Sequence, residues 1–344
     1  MHFILFSVAL ILCIHSQAEA DSCFKMINID SEDTAAFFAY SVNADGQVVG
    51  ERWSASQSRA SLWDPANGMK DLGVLPGAIS STAYGINSQG KVVGGCSTPG
   101  GKRAFLWDSV NGMMDLGNLP GGTHSVAYNI NSHGQVVGYS GIPTKKSAFL
   151  WNPATGMSDL GTLKGGNQSR AYGINDHGQV VGFSGNSAWS RAFLWDERSG
   201  MKDLGCLTGG TESKSYGINN SGQVVGFSST PVGNRAFLWD PVNGMKDLGT
   251  LPGGIESRAF AITDNGLVVG FSVCSSGHRA FIWDSVNGMR DLNVLLEEEC
   301  TQGGYVLTDA RAIRKNRMGN ALIATRHGDG CGIVENVMTS NLGN

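Results

Sequence analysis

The sequence predicts an all-β protein, a seven-bladed β-propeller of four-stranded blades closed by its N-terminal strand. Three observations carry this: a strict period of 44 residues, two turn signals fixed within each period, and end segments that supply one further copy of every strand. Trp63, Trp107, Trp151, Trp195, Trp239 and Trp283 keep the period, as do Gly50, Gly94, Gly138, Gly182, Gly226 and Gly270, with no insertion or deletion.

The unit at residues 169–210 reads SRAYGINDHGQVVGFS, a variable stretch, then RAFLWDERSGMKDLGCLTGG. Its short runs of Val, Ile, Phe, Trp and Tyr between Gly, Asn and Asp are strand and turn signals. Asn175 can bond backbone two residues on and Gly178 supplies positive φ, so residues 172–175 (strand a) and 179–184 (strand b) form a hairpin. Asp240 and Gly244 act likewise between residues 237–240 (strand c) and 245–251 (strand d). Strands b and c carry continuous apolar runs, which suits sheets covered on both faces. Strand d mixes Lys202 and Asp203 with Met201, as an outer edge does. A β-solenoid, the competing architecture, has shorter coils and no need of two hairpins per period.

Six regular repeats supply six copies of each strand, and the ends supply a seventh. Residues 309–315 resemble strand a, 320–325 strand b, 332–337 strand c and 24–29 strand d, so the N-terminal segment completes a degenerate last blade. The domain plan is therefore residues 1–20 as a signal peptide and 21–344 as one propeller. Residues 3–14 are apolar except Ser7, too few to span a bilayer, and Ala18-Glu19-Ala20 fits a cleavage site near Ala20. The expected address is secreted, periplasmic or cell-envelope.

The repeated RAFLWDxxxGMxDLGxLxGG and SxAYGINxxGQVVG resemble the HAF family of probable extracellular repeat proteins, over residues 24–337. The resemblance implies export and a repeat fold and carries no activity. Where the family name implies His before Ala-Phe, this chain has Arg59, Arg103, Ser147, Arg191, Arg235 and Arg279, so no role transfers to that histidine.

Charge and motifs exclude several classes. Twenty-five Lys and Arg against 29 Asp and Glu, a formal charge of -4, give no basic footprint for nucleic acid. No HExxH, paired CxxC, EF-hand loop or GxSxG occurs, so neither metal nor cofactor is expected, and His133 and His177 read as turn residues. No segment after the first twenty residues is long and apolar enough for membrane insertion. The periodic Trp should fill the gaps between blades, and the Arg heading strand c should meet the Asp of strand d across them. Six cysteines follow residue 20. Cys300 and Cys331 form the expected disulfide, Cys274 with Cys300 is the second choice, and Cys96 and Cys206 stay unpaired.

Variation concentrates in the b–c connections, at residues 51–58, 95–102, 139–146, 183–190, 227–234 and 271–278. Binding concentrates in such loops on a rigid scaffold. The expected function is non-catalytic recognition, by a monomer, of an unknown protein or glycan on this rim. Trp53, Lys145, Lys146, Trp189 and His278 are its candidate residues, and the side chains named lie outside the packed blades. The alternative is a glycan-cleaving hydrolase or lyase, which needs convergent carboxylates such as Glu212 and Glu256 at the channel mouth.

Overall fold

The computed structural model describes residues 14–16, 19–29, 36–54, 57–142, 144–296, 306–327 and 330–338. Among them the regular structure is entirely β, in seven antiparallel sheets arranged in chain order around a central channel. Blade 4 is representative. Gln168–Ile174 (a), Val180–Gly185 (b), Ser190–Asp196 (c) and Gly200–Asp203 (d) pair in that order, from the channel outward.

The ring closes as the strand count requires. Glu19–Asn28 pairs antiparallel with Gly330–Met338 from Ser22↔Met338 to Asn28↔Gly332, and Ala321–His327 and Leu307–Lys315 complete blade 7. A short additional strand, Ile14–Ser16, lies outside Glu19–Asn28, so this sheet has five strands.

Side chains bond the turns as the sequence implies. Asn175 Oδ1 accepts the N–H of His177 and of Gln179, and Gly178 has φ +76°. Asn175 Nδ2 also donates to the Asn219 carbonyl of the next blade. Asn43, Asn87, Asn131 and Asn219 make the same donation one blade on, at 3.0–3.2 Å, giving a directed belt of five bonds that ends at Thr263. At the c–d turn Asp240 Oδ1 accepts the N–H of Val242 and Asn243.

Strand d is shorter than expected, ending at Asp247 in blade 5. The Asp247 carboxylate accepts the Gly249 N–H at 2.7 Å, turning the chain so that Leu248 and Leu251 enter the core. The periodic aspartates of strand d share this role: Asp71, Asp115, Asp159 and Asp203 each bond the glycine two residues on. The ring of Arg–Asp contacts between blades is therefore not formed. Arg103 meets Asp115 at 2.7 Å within one blade and near the surface, while Arg191 and Arg235 donate to the Thr211 and Ile255 carbonyls.

Each hydrophobic cluster spans two adjacent blades, which is why a single blade has no core of its own. Leu194 and Leu204 of blade 4, for example, pack on Phe237 and Trp239 of blade 5. The fully buried filler is the Phe of RAFLW, at Phe105, Phe149, Phe193, Phe237 and Phe281. Ser61 breaks this series, and Phe37 of strand a provides a buried ring in blade 1. The periodic Trp lies farther out, half-buried at Trp63, Trp151 and Trp195, with a lysine of the preceding strand d over Trp107, Trp239 and Trp283 at 4.9–5.2 Å. The periodic Trp does pack between blades, with Trp107, Trp239 and Trp283 buried there, and shares the gap with the Phe. Buried serines add polar ties: Ser213 Oγ accepts the Ala192 N–H of the preceding blade and donates to the Gly205 carbonyl. Such satisfied groups cost about 1–3 kcal/mol each when a partner is removed.

Cys96, Cys206 and Cys274 are free thiols, and burial pushes that of Cys96 up to about 11. Cys300 lies outside the described residues, as does the side chain of Cys331. Phe193→Ala is expected to cost about 3–5 kcal/mol by opening a cavity between blades 3 and 4. Trp53→Ala, at a residue 53% exposed, is expected to stay within about 0.5 kcal/mol. Chemical denaturation of the two variants checks the contrast.

Candidate ligand-binding basin

The site begins with a backbone irregularity. In each regular blade the pairing of strands a and b slips by one residue, as between Ala171 and Gly173 in blade 4. The extra residue of such a bulge is unpaired and its side chain is re-aimed. It is Tyr40, Tyr84, Tyr128, Tyr172, Tyr216 or Phe260, and in blade 7 it is Arg311. The glycine of VVG permits this, because a Cβ there would overlap the strand a carbonyl of Phe38, Thr82, Val126, Arg170, Lys214 or Arg258.

The six rings pack around the channel with neighbouring centroids 5.1–5.5 Å apart. Arginines span the remaining sector. Arg311 stacks on Phe260 at 4.4 Å and Arg326 on Tyr40 at 4.8 Å. Tyr40 donates to Glu51 Oε1 at 2.9 Å. Burial raises the pKa of all five phenols, those of Tyr84 and Tyr216 up to about 12.

Above this floor, on the face of the b–c connections, one cation and one aromatic per blade alternate in an arc. Arg170 lies between Tyr139 (5.0 Å) and Phe183 (5.8 Å), Lys214 between Phe183 (5.0 Å) and Phe227 (5.7 Å), and Arg258 between Phe227 (4.7 Å) and Phe271 (5.9 Å). Lys146 begins the arc over Tyr139 at 5.4 Å, and His278 ends it, stacked on Phe271 at 4.6 Å. The guanidinium planes are thus held by packing, with the Nε atoms of Arg170 and Arg258 buried and unpartnered among the described residues.

Charge is uneven along the arc. Lys214 pairs with Glu212 at 2.9 Å, Arg258 with Glu256 at 3.7 Å and Arg311 with Asp309 at 3.2 Å. In blade 4 the place of those acids is taken by Gln168, and no ion pair to Arg170 or Lys146 occurs among the described residues. Burial and the nearby Arg170 and Lys102 push the Lys146 ammonium pKa down, marking a concentration of positive charge at blades 3 and 4.

The expected rim residues do not form one pocket. Trp53, Lys145 and Lys146, Trp189 and His278 belong to blades 1, 3, 4 and 6. Lys145 is exposed at the turn. Trp189 is not a free loop side chain, for it is half-buried against the core between blades 3 and 4. Only Lys146 and His278 reach the arc. The connections themselves are mostly paired strand: Ile142↔Lys145, Thr230↔Gly233 and Cys274↔Gly277 leave two-residue turns, whereas blades 1 and 4 keep four residues. This is why Tyr139, Phe183, Phe227 and Phe271 point into the basin rather than along a loop.

Glu212 and Glu256 are each engaged by neighbouring side chains. Glu212 accepts from Lys214 and from Ser190 Oγ at 2.9 Å, which hold its carboxyl below the usual range; Glu256 faces Arg258 and Asn234. A general acid for glycosidic cleavage needs the opposite shift.

No family model matches the chain, and no curated protein matches it. Solved structures similar to it are propellers or propeller-containing proteins. An oligogalacturonate lyase in complex with manganese shares 11% identity and a TM-score of 0.58 over 96% of this chain and 97% of its own. The β-propeller domain of the Trilobed protease from Pyrococcus furiosus shares 13% and 0.54 over 83% and 91%. YCF48 bound to D1 peptide shares 12% and 0.53 over 93% and 97%. At these identities the likeness concerns the fold.

The phenols predict a pH effect. In the unfolded chain they ionise from about pH 10, whereas Tyr84 and Tyr216 hold their protons to about 12 when folded. The unfolded state then binds fewer protons, so stability is full below pH 10 and falls as pH rises through 12. Denaturant midpoints measured between pH 9 and about 12 check this, with Tyr84→Phe and Tyr216→Phe reducing the slope.

Proposed function

We propose that this protein is an exported, non-catalytic binding propeller that takes an acidic glycan on the cation–aromatic basin of its b–c face. The observation that carries the reading is the unit Lys146–Tyr139–Arg170–Phe183, two stacked cations without an acid in ion-pair range among the described residues. Guanidinium groups fixed by packing bind carboxylates in two-pronged fashion at little entropic cost. The arc repeats one cation and one aromatic per blade across blades 4 to 6. A regular array of this kind suits a ligand that is itself a repeating polymer, and the aromatic edges offer apolar contact to sugar rings.

Export agrees with the register at the clasp. Pairing with the C-terminal strand starts at Ser22, so cleavage near Ala20 removes Ile14–Ser16 and leaves the closure in place. The resemblance to HAF repeats supports the same address.

A lyase is the second reading, favoured by the Tyr40–Glu51 hydrogen bond beside Arg326 and by the lyase among the similar propellers. Raised phenol pKa values count against it, since a neutral phenol is a poor base. Among acidic and neutral glycans and peptides, the acidic glycans are expected to bind, with affinity falling as salt rises. Arg170→Met with Arg258→Met is expected to weaken binding at least about tenfold, and Trp53→Ala to leave it unchanged. Preference for acidic peptides would replace the ligand class. Turnover of a glycan, lost in Tyr40→Phe, would replace binding by catalysis.

A further inference from the structure

We infer that the central channel holds a second, independent site for a small oxyanion, carboxylate or phosphate, bound by Arg311 and Arg314 of blade 7. Beneath the aromatic floor lies a cavity of about 210 Å³ lined by the ring residues, strand a backbone and these two arginines, with no Asp or Glu among its lining residues. Both arginines depart from the repeat. Arg311 stands where the other blades place an aromatic bulge residue, and Arg314 lies three residues after the bulge, where they place the turn asparagine or Thr263; in blade 7 strand a runs two residues longer and Asn316 takes the turn.

Neither departure serves the scaffold in the way the repeat does. Arg314 donates only to its own neighbour, the Ile313 carbonyl, at 3.2 Å, and forms no ion pair among the described residues. Asp176 and Asp264 act on Arg314 from the a–b turn face, outside the cavity lining, and also accept from Ser132 and Asn220. Arg311 retains an Nε without a partner despite its pair with Asp309. The cavity that both arginines line carries no carboxylate, so an anion entering it meets cationic charge in surroundings of low dielectric, where attraction is strengthened. The aromatic rings line the basin side of the cavity, and the a–b turn face lies on its other side. A vestibule of about 290 Å³, lined by the asparagine belt, shares Arg314 with the cavity there.

The chemistry common to the candidates is a compact group with two or more anionic oxygens, which guanidinium recognises in planar fashion. Calorimetric titration of the purified protein with sodium succinate and with sodium phosphate, at constant ionic strength set by chloride, separates the two sources. The expected result is saturable one-to-one binding of at least one probe, accompanied by a rise in Tm. Arg314→Gln is expected to weaken it at least about tenfold, and Arg314→Lys, which keeps charge without the fork, to weaken it less. Arg258→Met, which disables the basin, should leave it unchanged, so the two sites fail separately. Absence of saturation with either probe, or equal affinity in wild type and both Arg314 variants, would overturn the inference.

Discussion

The close approach of the strand a carbonyl to the glycine of VVG is the contact on which the rest depends. It admits no side chain at Gly50, Gly94, Gly138, Gly182, Gly226 or Gly270. With that space left empty, strand a bulges and sends one side chain per blade toward the axis. The aromatic floor and the placement of the stacked cations two residues earlier both follow. Blade 7 keeps the bulge at Arg311 with Thr325 in place of the glycine, and its strand a carries a second register shift between Leu307 and Asp309.

Most of the architecture could be read from the chain because it is written six times. Spacing fixed the repeat, Asx and glycine chemistry fixed the turns, and counting strands at the ends fixed the closure by residues 24–29, which pair as Ser22–Asn28. What escaped was geometry across blades. Phe193 and Trp195 are both large and apolar, and nothing local tells which of them enters the gap completely. The arc was hidden for a related reason. Its aromatics are the first residues of stretches read as loops, and its cations stand in a variable position of SxA, so each series looks irregular alone. Pairing across strands, Arg170↔Phe183 and Lys214↔Phe227, makes them one surface. The signal available was recurrence of Tyr or Phe after VVG in four consecutive blades, with a cation thirteen residues earlier in three of them.

Departures from the repeat hold the chemistry. A perfectly symmetric ring would present seven equivalent positions and no preferred place for a ligand. Gln168 in place of an acid concentrates positive charge at one side of the basin, while Arg311 and Arg314 put cations into an otherwise aromatic and amide-lined channel. The scaffold supplies rigidity through buried Phe, Ser and Asn. The exceptions supply direction.

The amide belt gives the ring a polarity that its outline conceals. Each asparagine leans on the carbonyl of the following blade, and the series stops at Thr263, which has no amide to pass forward. Blades 1 to 6 are therefore laced in one direction, while blade 7 meets its neighbours through apolar contacts, the Arg317–Asp45 ion pair at 2.8 Å and the hydrogen bonds of Asn293 to Leu307. Both chain ends lie in blade 7, so the covalent path around the ring is interrupted in the sector where the two channel arginines stand, and its continuity there rests on the pairing of Ser22–Asn28 with the C-terminal strand.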